Sequence, residues 1–163
     1  MTGDDPGNPP GVESEQDRLN RNFAELLQEV RVAETGVQIL FAFLLTLPFT
    51  NRFEDLIDRD IAAYAVAACG AAVATVMLVA PVSYHRLAFR KGRKPELVYV
   101  ASLLAQLGLA AFGVALVAAC FLIADVVLGM SWAIGFSALV ACLEAALWYA
   151  LPLSHPRRFA AGD

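Results

Sequence analysis

Residues 61–82 and 97–124 form runs of 22 and 28 residues without a single charged side chain, whereas a helix needs only about 20 apolar residues to cross the hydrocarbon of a bilayer. Two such runs in a chain of 163 residues leave little room for a water-soluble core. Between them Arg86, Arg90, Lys91, Arg93 and Lys94 crowd into one short segment. Composition agrees: 58% of the residues are apolar and 17% charged, where soluble domains carry about a quarter charged. The chain therefore reads as a multi-pass membrane protein. Helices are expected rather than barrel strands, because the runs are continuous and a barrel strand alternates apolar and polar residues.

Four spans are predicted, at about 32–50, 61–82, 96–124 and 130–153. The first is the least clean, since it contains Glu34 and Gln38; Pro48 and the NRFED loop close it. Pro81 marks the exit of the second span, and Pro152 and SHPRR stop the fourth. The expected architecture is an all-α integral membrane fold, a four-transmembrane-helix bundle. Residues 1–14 are rich in Gly, Pro and acids, lack the cations and apolar segment of a secretory leader, and are expected to be disordered. Residues 15–31 place Leu19, Phe23, Leu26 and Val30 on one side of a helical wheel, with Arg18, Arg21, Glu25 and Glu29 on the other. This predicts an amphipathic cytoplasmic helix, either continuous with the first span or lying on the membrane surface. Residues 154–163 form a short tail.

Ten of the twelve Lys and Arg residues fall before the first span, between the second and third, or after the fourth. The positive-inside rule then puts both termini in the cytoplasm of a cell-membrane protein. Every Tyr and Trp lies near a predicted boundary: Tyr64 and Trp132 outside, Tyr84, Tyr99, Trp148 and Tyr149 inside. The basic segment from Arg86 to Lys94 is expected to set topology and to meet anionic headgroups.

Small residues line one face of the second span (Ala67, Gly70, Ala71, Ala74) and one face of the third (Gly108, Ala111, Ala115, Ala119). Packing holds helices together in lipid, so these faces are expected to meet within the bundle, a dimer contact being the alternative. Gly129 is suited to the tight turn between the last two spans.

The polar groups inside apolar surroundings are the candidate site. Glu34, Gln38, Gln106 and Glu144 fall at similar distances from the cytoplasmic edge by helix rise, so they are expected to share a layer. An acid there costs about 2.5 kcal/mol or more at mid-span and less near the boundary. Two readings follow, a polar clamp between helices or a proton or cation site on Glu34 or Glu144. Asp125 is expected to pair at the outer surface with Arg52 or Arg59, contributing little. His85 and His155 lack a third ligand for a metal, and Cys69, Cys120 and Cys142 sit in apolar stretches as small hydrophobes. No nucleotide-binding, hydrolase or metalloprotease motif occurs. No enzyme, cofactor or nucleic-acid partner is expected.

At RLNRNFAELLQEVRVAETGVQILFAFLLTLPFTNRF and again at APVSYHRLAFRKGRKPELV, the chain resembles a family of small actinobacterial membrane proteins classed as a domain of unknown function. The resemblance covers about residues 17–125. Some relatives carry a sodium:proton antiporter label, so it implies cation transport as one function, but it brings no site residues with it. Against transport stand the strong orientation bias and a sequence without paired mid-span carboxylates or broken helices. The favoured expectation is a non-enzymatic accessory or scaffold subunit, with a membrane-protein partner or a second copy of the chain.

Overall fold

The computed structural model describes residues 15–88 and 94–154. Helix α1 runs unbroken over Glu15–Thr46, so the amphipathic segment is the first half of one long helix and not a separate element. Pro48 cannot continue it, and the chain passes through two short 3₁₀ turns, Leu47–Phe49 and Asn51–Phe53. The hydroxyls of Thr46 and Thr50 donate to the carbonyls of Phe43 and Leu47, each at 2.7 Å, taking up acceptors that the helix end leaves open.

Helix α2 spans Asp58–Ala88. Asp58 and Asp60 lie in its first turn, where negative charge suits the helix dipole. The apolar span ends at Ser83, close to Pro81 as expected, while the helix itself continues through Pro81 for another seven residues. Pro81 is among the most buried side chains; packing on neighbours makes proline tolerable inside a membrane helix. Helix α3 covers Lys94–Leu128, and a single residue, Gly129 with φ 88°, joins it to α4 at Met130–Glu144. Ala145–Ala150 then winds as a π-helical turn before a last short helix, α5, at Leu151–Ser154.

Four segments are long and apolar enough to cross a membrane: Leu27–Phe49, Asp58–Ser83, Tyr99–Leu128 and Met130–Ala150. The α2–α3 pairing is the most extensive contact. Buried positions recur at Val30, Val37 and Leu44 on α1, at Asp60, Ala67, Ala71, Ala74 and Leu78 on α2, and at Ala101, Ala115, Ala119 and Leu122 on α3. Their spacing of three, four and seven residues is that of left-handed helix packing. The interior is mostly Ala, while Val, Ile, Leu and Phe are widely exposed on the outside. That inversion suits a lipid surround, where small residues let backbones approach and large apolar ones lose nothing by facing outward.

The small faces meet as expected of contacts within one bundle. A Cβ on Gly70 would stand 3.1 Å from the Ala115 Cβ and 3.3 Å from the Ala111 carbonyl, and one on Gly108 would stand 2.9 Å from Leu78.

Candidate functional site

The polar groups gather in three places rather than in one layer. On α1, the Gln38 amide donates to Glu34 at 3.2 Å and the Thr35 hydroxyl donates to the Arg31 carbonyl at 3.0 Å. Arg31, Thr35 and Gln38 are exposed and Glu34 is half-buried, which makes a polar stripe on the flank of a helix whose buried edge is Val30, Val37 and Leu44. Gln106 lies elsewhere, in a recess of about 280 Å³ that Glu29, Val30 and Leu78 also line.

Glu144 lies in the third place, a cleft of about 710 Å³ between α2, α3 and α4. One carboxylate oxygen, Oε2, rests where α3 carries no side chain: a Cβ on Gly113 would stand 2.9 Å from it. The other, Oε1, is buried without a hydrogen-bond partner. Glu144 is therefore not clamped by Gln38, Gln106 or Arg31. Beside it Trp148 stacks on Phe112, with ring centroids 6.1 Å apart and planes 23° from parallel. Phe112 in turn packs under Gly36 of α1, where a Cβ would stand 3.5 Å from its ring. The π-helical turn begins directly after Glu144 and sets Ala145, Trp148 and Tyr149 on the same cleft wall.

A charged cluster that the sequence reading had not assembled joins the starts of α2 and the end of α3. Arg59 donates through Nε to Asp125 Oδ2 at 2.6 Å and through a second nitrogen to Oδ1 at 3.2 Å. The expected pairing of Asp125 with Arg59 is thus present, with the Asp125 side chain only 2% exposed while that of Arg59 remains half open. Asp60, the residue after Arg59, is buried in the same cluster. The chain thus does hold two carboxylates in one cluster, at the end of the bundle. Asp60 Oδ2 accepts the Ile57 N–H at 3.4 Å, and Oδ1 has no donor. A readable signal existed: Asp60 stands seven residues before Ala67, in phase with the small face of α2.

Among the described residues no three His, Cys, Asp or Glu side chains gather as a metal site, and Cys69, Cys120 and Cys142 are free thiols. Of the basic segment, Arg90, Lys91 and Arg93 lie outside the described residues; Arg86 and Lys94 sit near the ends of α2 and α3.

A family model matches residues 12–152, nearly the whole of the described chain and more than the 17–125 expected. The chain belongs to DUF6328, a family of unknown function. No curated protein and no solved structure matches it. The four membrane-length apolar helices suggest a membrane protein, and the family carries no assigned activity.

Proposed function

We propose that this member of DUF6328 is a non-enzymatic accessory or scaffold subunit of the cell membrane, with both termini in the cytoplasm. The observation that supports it is the polar stripe of α1. Arg31, Glu34, Thr35 and Gln38 lie inside or at the edge of an apolar span yet on the outside of the bundle. Left against lipid, a carboxylate and an amide there cost free energy even when they bond to each other. A second transmembrane helix laid over the stripe removes that cost by supplying the remaining donors and acceptors. The basic segment from Arg86 to Lys94 holds the orientation and engages anionic headgroups.

A photo-crosslinking residue placed at Thr35 tests this in native membranes. The expected product is an adduct with another membrane protein or a second copy of the chain, lost with Glu34→Leu/Gln38→Leu. Adducts with lipid alone would remove the support. Purified protein in proteoliposomes is also expected to show no sodium- or potassium-dependent proton movement. An imposed pH gradient that collapses on cation addition, and no longer does so with Glu34→Gln or Glu144→Gln, would replace this reading with a proton-coupled cation antiporter.

A further inference from the structure

The cleft around Glu144 is built unlike the rest of the interior. Its walls are apolar, from Ala62 and Val66 on α2, Val117 and Phe121 on α3, and Trp148 on the π-helical turn that follows α4, and among the described residues Glu144 is the one charged residue lining it. Ser137, also on the wall, already donates to the Ala133 carbonyl at 2.6 Å and offers no bond to the carboxylate. A carboxylate in such surroundings is costly unless something pairs with it, and Oε1 is buried without a partner. The fold nevertheless keeps Glu144 in this position by three devices. Gly113 leaves the room its Oε2 occupies. Phe112 stacks on Trp148 and holds that ring close by. The turn from α to π helix after Glu144 brings Trp148 and Tyr149 round to the same wall, and π-helical turns of this kind are frequent at functional sites.

We infer that the α2–α3–α4 cleft is a binding site for a hydrophobic organic cation, its charge on Glu144 and its apolar body against Trp148 and Phe121. The inference does not rest on the accessory-subunit proposal. Size fits, since ligand pockets run from about 300 to 1,000 Å³ and are mostly apolar with a few polar groups that set orientation. Charge complementarity selects the class of ligand. A bare metal ion needs several oxygen ligands, and the lining offers one carboxylate. A zwitterionic lipid headgroup would bring a phosphate, for which no Lys or Arg among the described residues lines the cleft. An organic cation is weakly hydrated, so it gives up little water on entry, and it gains from the Trp148 ring as well as from the acid. Glu144 lies inside the apolar span Met130–Ala150, within reach of molecules dissolved in the bilayer.

Tetraphenylphosphonium and tetraphenylborate share a shape and differ in the sign of their charge, which makes them the deciding probes. The full chain carrying Trp132→Phe, so that Trp148 is its sole tryptophan, is placed in phosphatidylcholine nanodiscs. It is titrated with each probe, reading Trp148 fluorescence together with bound probe from equilibrium dialysis. The expected result is saturable binding of one phosphonium per chain with a Trp148 signal, and none for the borate. Glu144→Gln should weaken phosphonium binding at least tenfold. Its fold should persist, because no hydrogen bond to the Glu144 side chain is lost. Gly113→Ala should weaken it too, because the new Cβ displaces the carboxylate. Acid supplies a measurement without any substitution: the phosphonium does not titrate, and Glu144 is the one carboxyl group among the described residues lining the cleft, with Tyr149 the other titratable side chain on its wall. Loss of binding as pH falls is then the signature of a protonated Glu144. Equal binding of both probes, acid-insensitive binding, or undiminished binding by folded Glu144→Gln would each overturn the inference.

Discussion

Asp60 and Asp125 come together although 65 positions separate them in the sequence. Two like charges this close repel, and Arg59 offsets the repulsion through its two-pronged contact with Asp125. The arrangement predicts unequal effects of three variants on thermal unfolding in detergent. Arg59→Ala should lower the midpoint most, since it leaves two buried carboxyl groups without their cation. Asp60→Asn should leave it unchanged or raise it, because the amide keeps an oxygen for the Ile57 N–H and offers Asp125 a donor. Adding Asp60→Asn to Arg59→Ala should recover part of the loss, a coupling that residues in direct contact are expected to show. Independent effects of the two substitutions would mean that the cluster does not act as a unit. Arg59 is one of two partners the sequence offers Asp125, whereas the acidity of Asp60 points to solvent while its helical phase points inward.

The α2–α3 seam shows what decides packing at the level of elements. Gly70 faces Ala115 and the Ala111 carbonyl, and backbone cannot step aside as a flexible side chain can. Gly70→Ala should therefore push the helices apart and cost about 1–3 kcal/mol, the range for overpacked interiors. Gly135 on α4 has nothing within 4 Å of its Cβ position, so Gly135→Ala should be neutral in the same unfolding assay and serves as the control. Comparable losses at both positions would show that close approach at the seam does not govern the result, since helix propensity alone favours Ala over Gly at both. Gly129 makes a separate demand, for backbone conformation. Its φ of 88° is one that L side chains rarely adopt, and Gly129→Ala should cost about 1–3 kcal/mol through strain in the turn. The small faces of both helices were legible from spacing alone. The π-helical turn after Glu144 was not, because AALWYA contains nothing that distinguishes π from α winding in one dimension.

For the whole molecule, the cation distribution predicts an orientation, both termini in the cytoplasm, that labelling can check. In a background lacking Cys69, Cys120 and Cys142, a cysteine at Asn51 should react with an impermeant reagent from outside and one at Gly92 only from the cytoplasm. The reverse pattern, or both reacting from one side, would refute the N-in, C-in topology. That the chain forms four helices long and apolar enough to cross a membrane followed from the sequence, because hydrocarbon demands about 20 apolar residues in unbroken succession and tolerates few exceptions. The inward faces of α2 and α3 followed as well, since small residues at helical spacing have one use in lipid. Tertiary structure alone decided where the polar groups went. Helix rise put Glu34, Gln38, Gln106 and Glu144 at similar depths, but depth says nothing about which side of a bundle a residue faces. Their separation into an outer stripe, a recess and a cleft depends on how the helices are arranged around α3. The gap opposite Glu144 likewise arises from Gly113 on a different helix, and one-dimensional spacing carries no information about such a meeting.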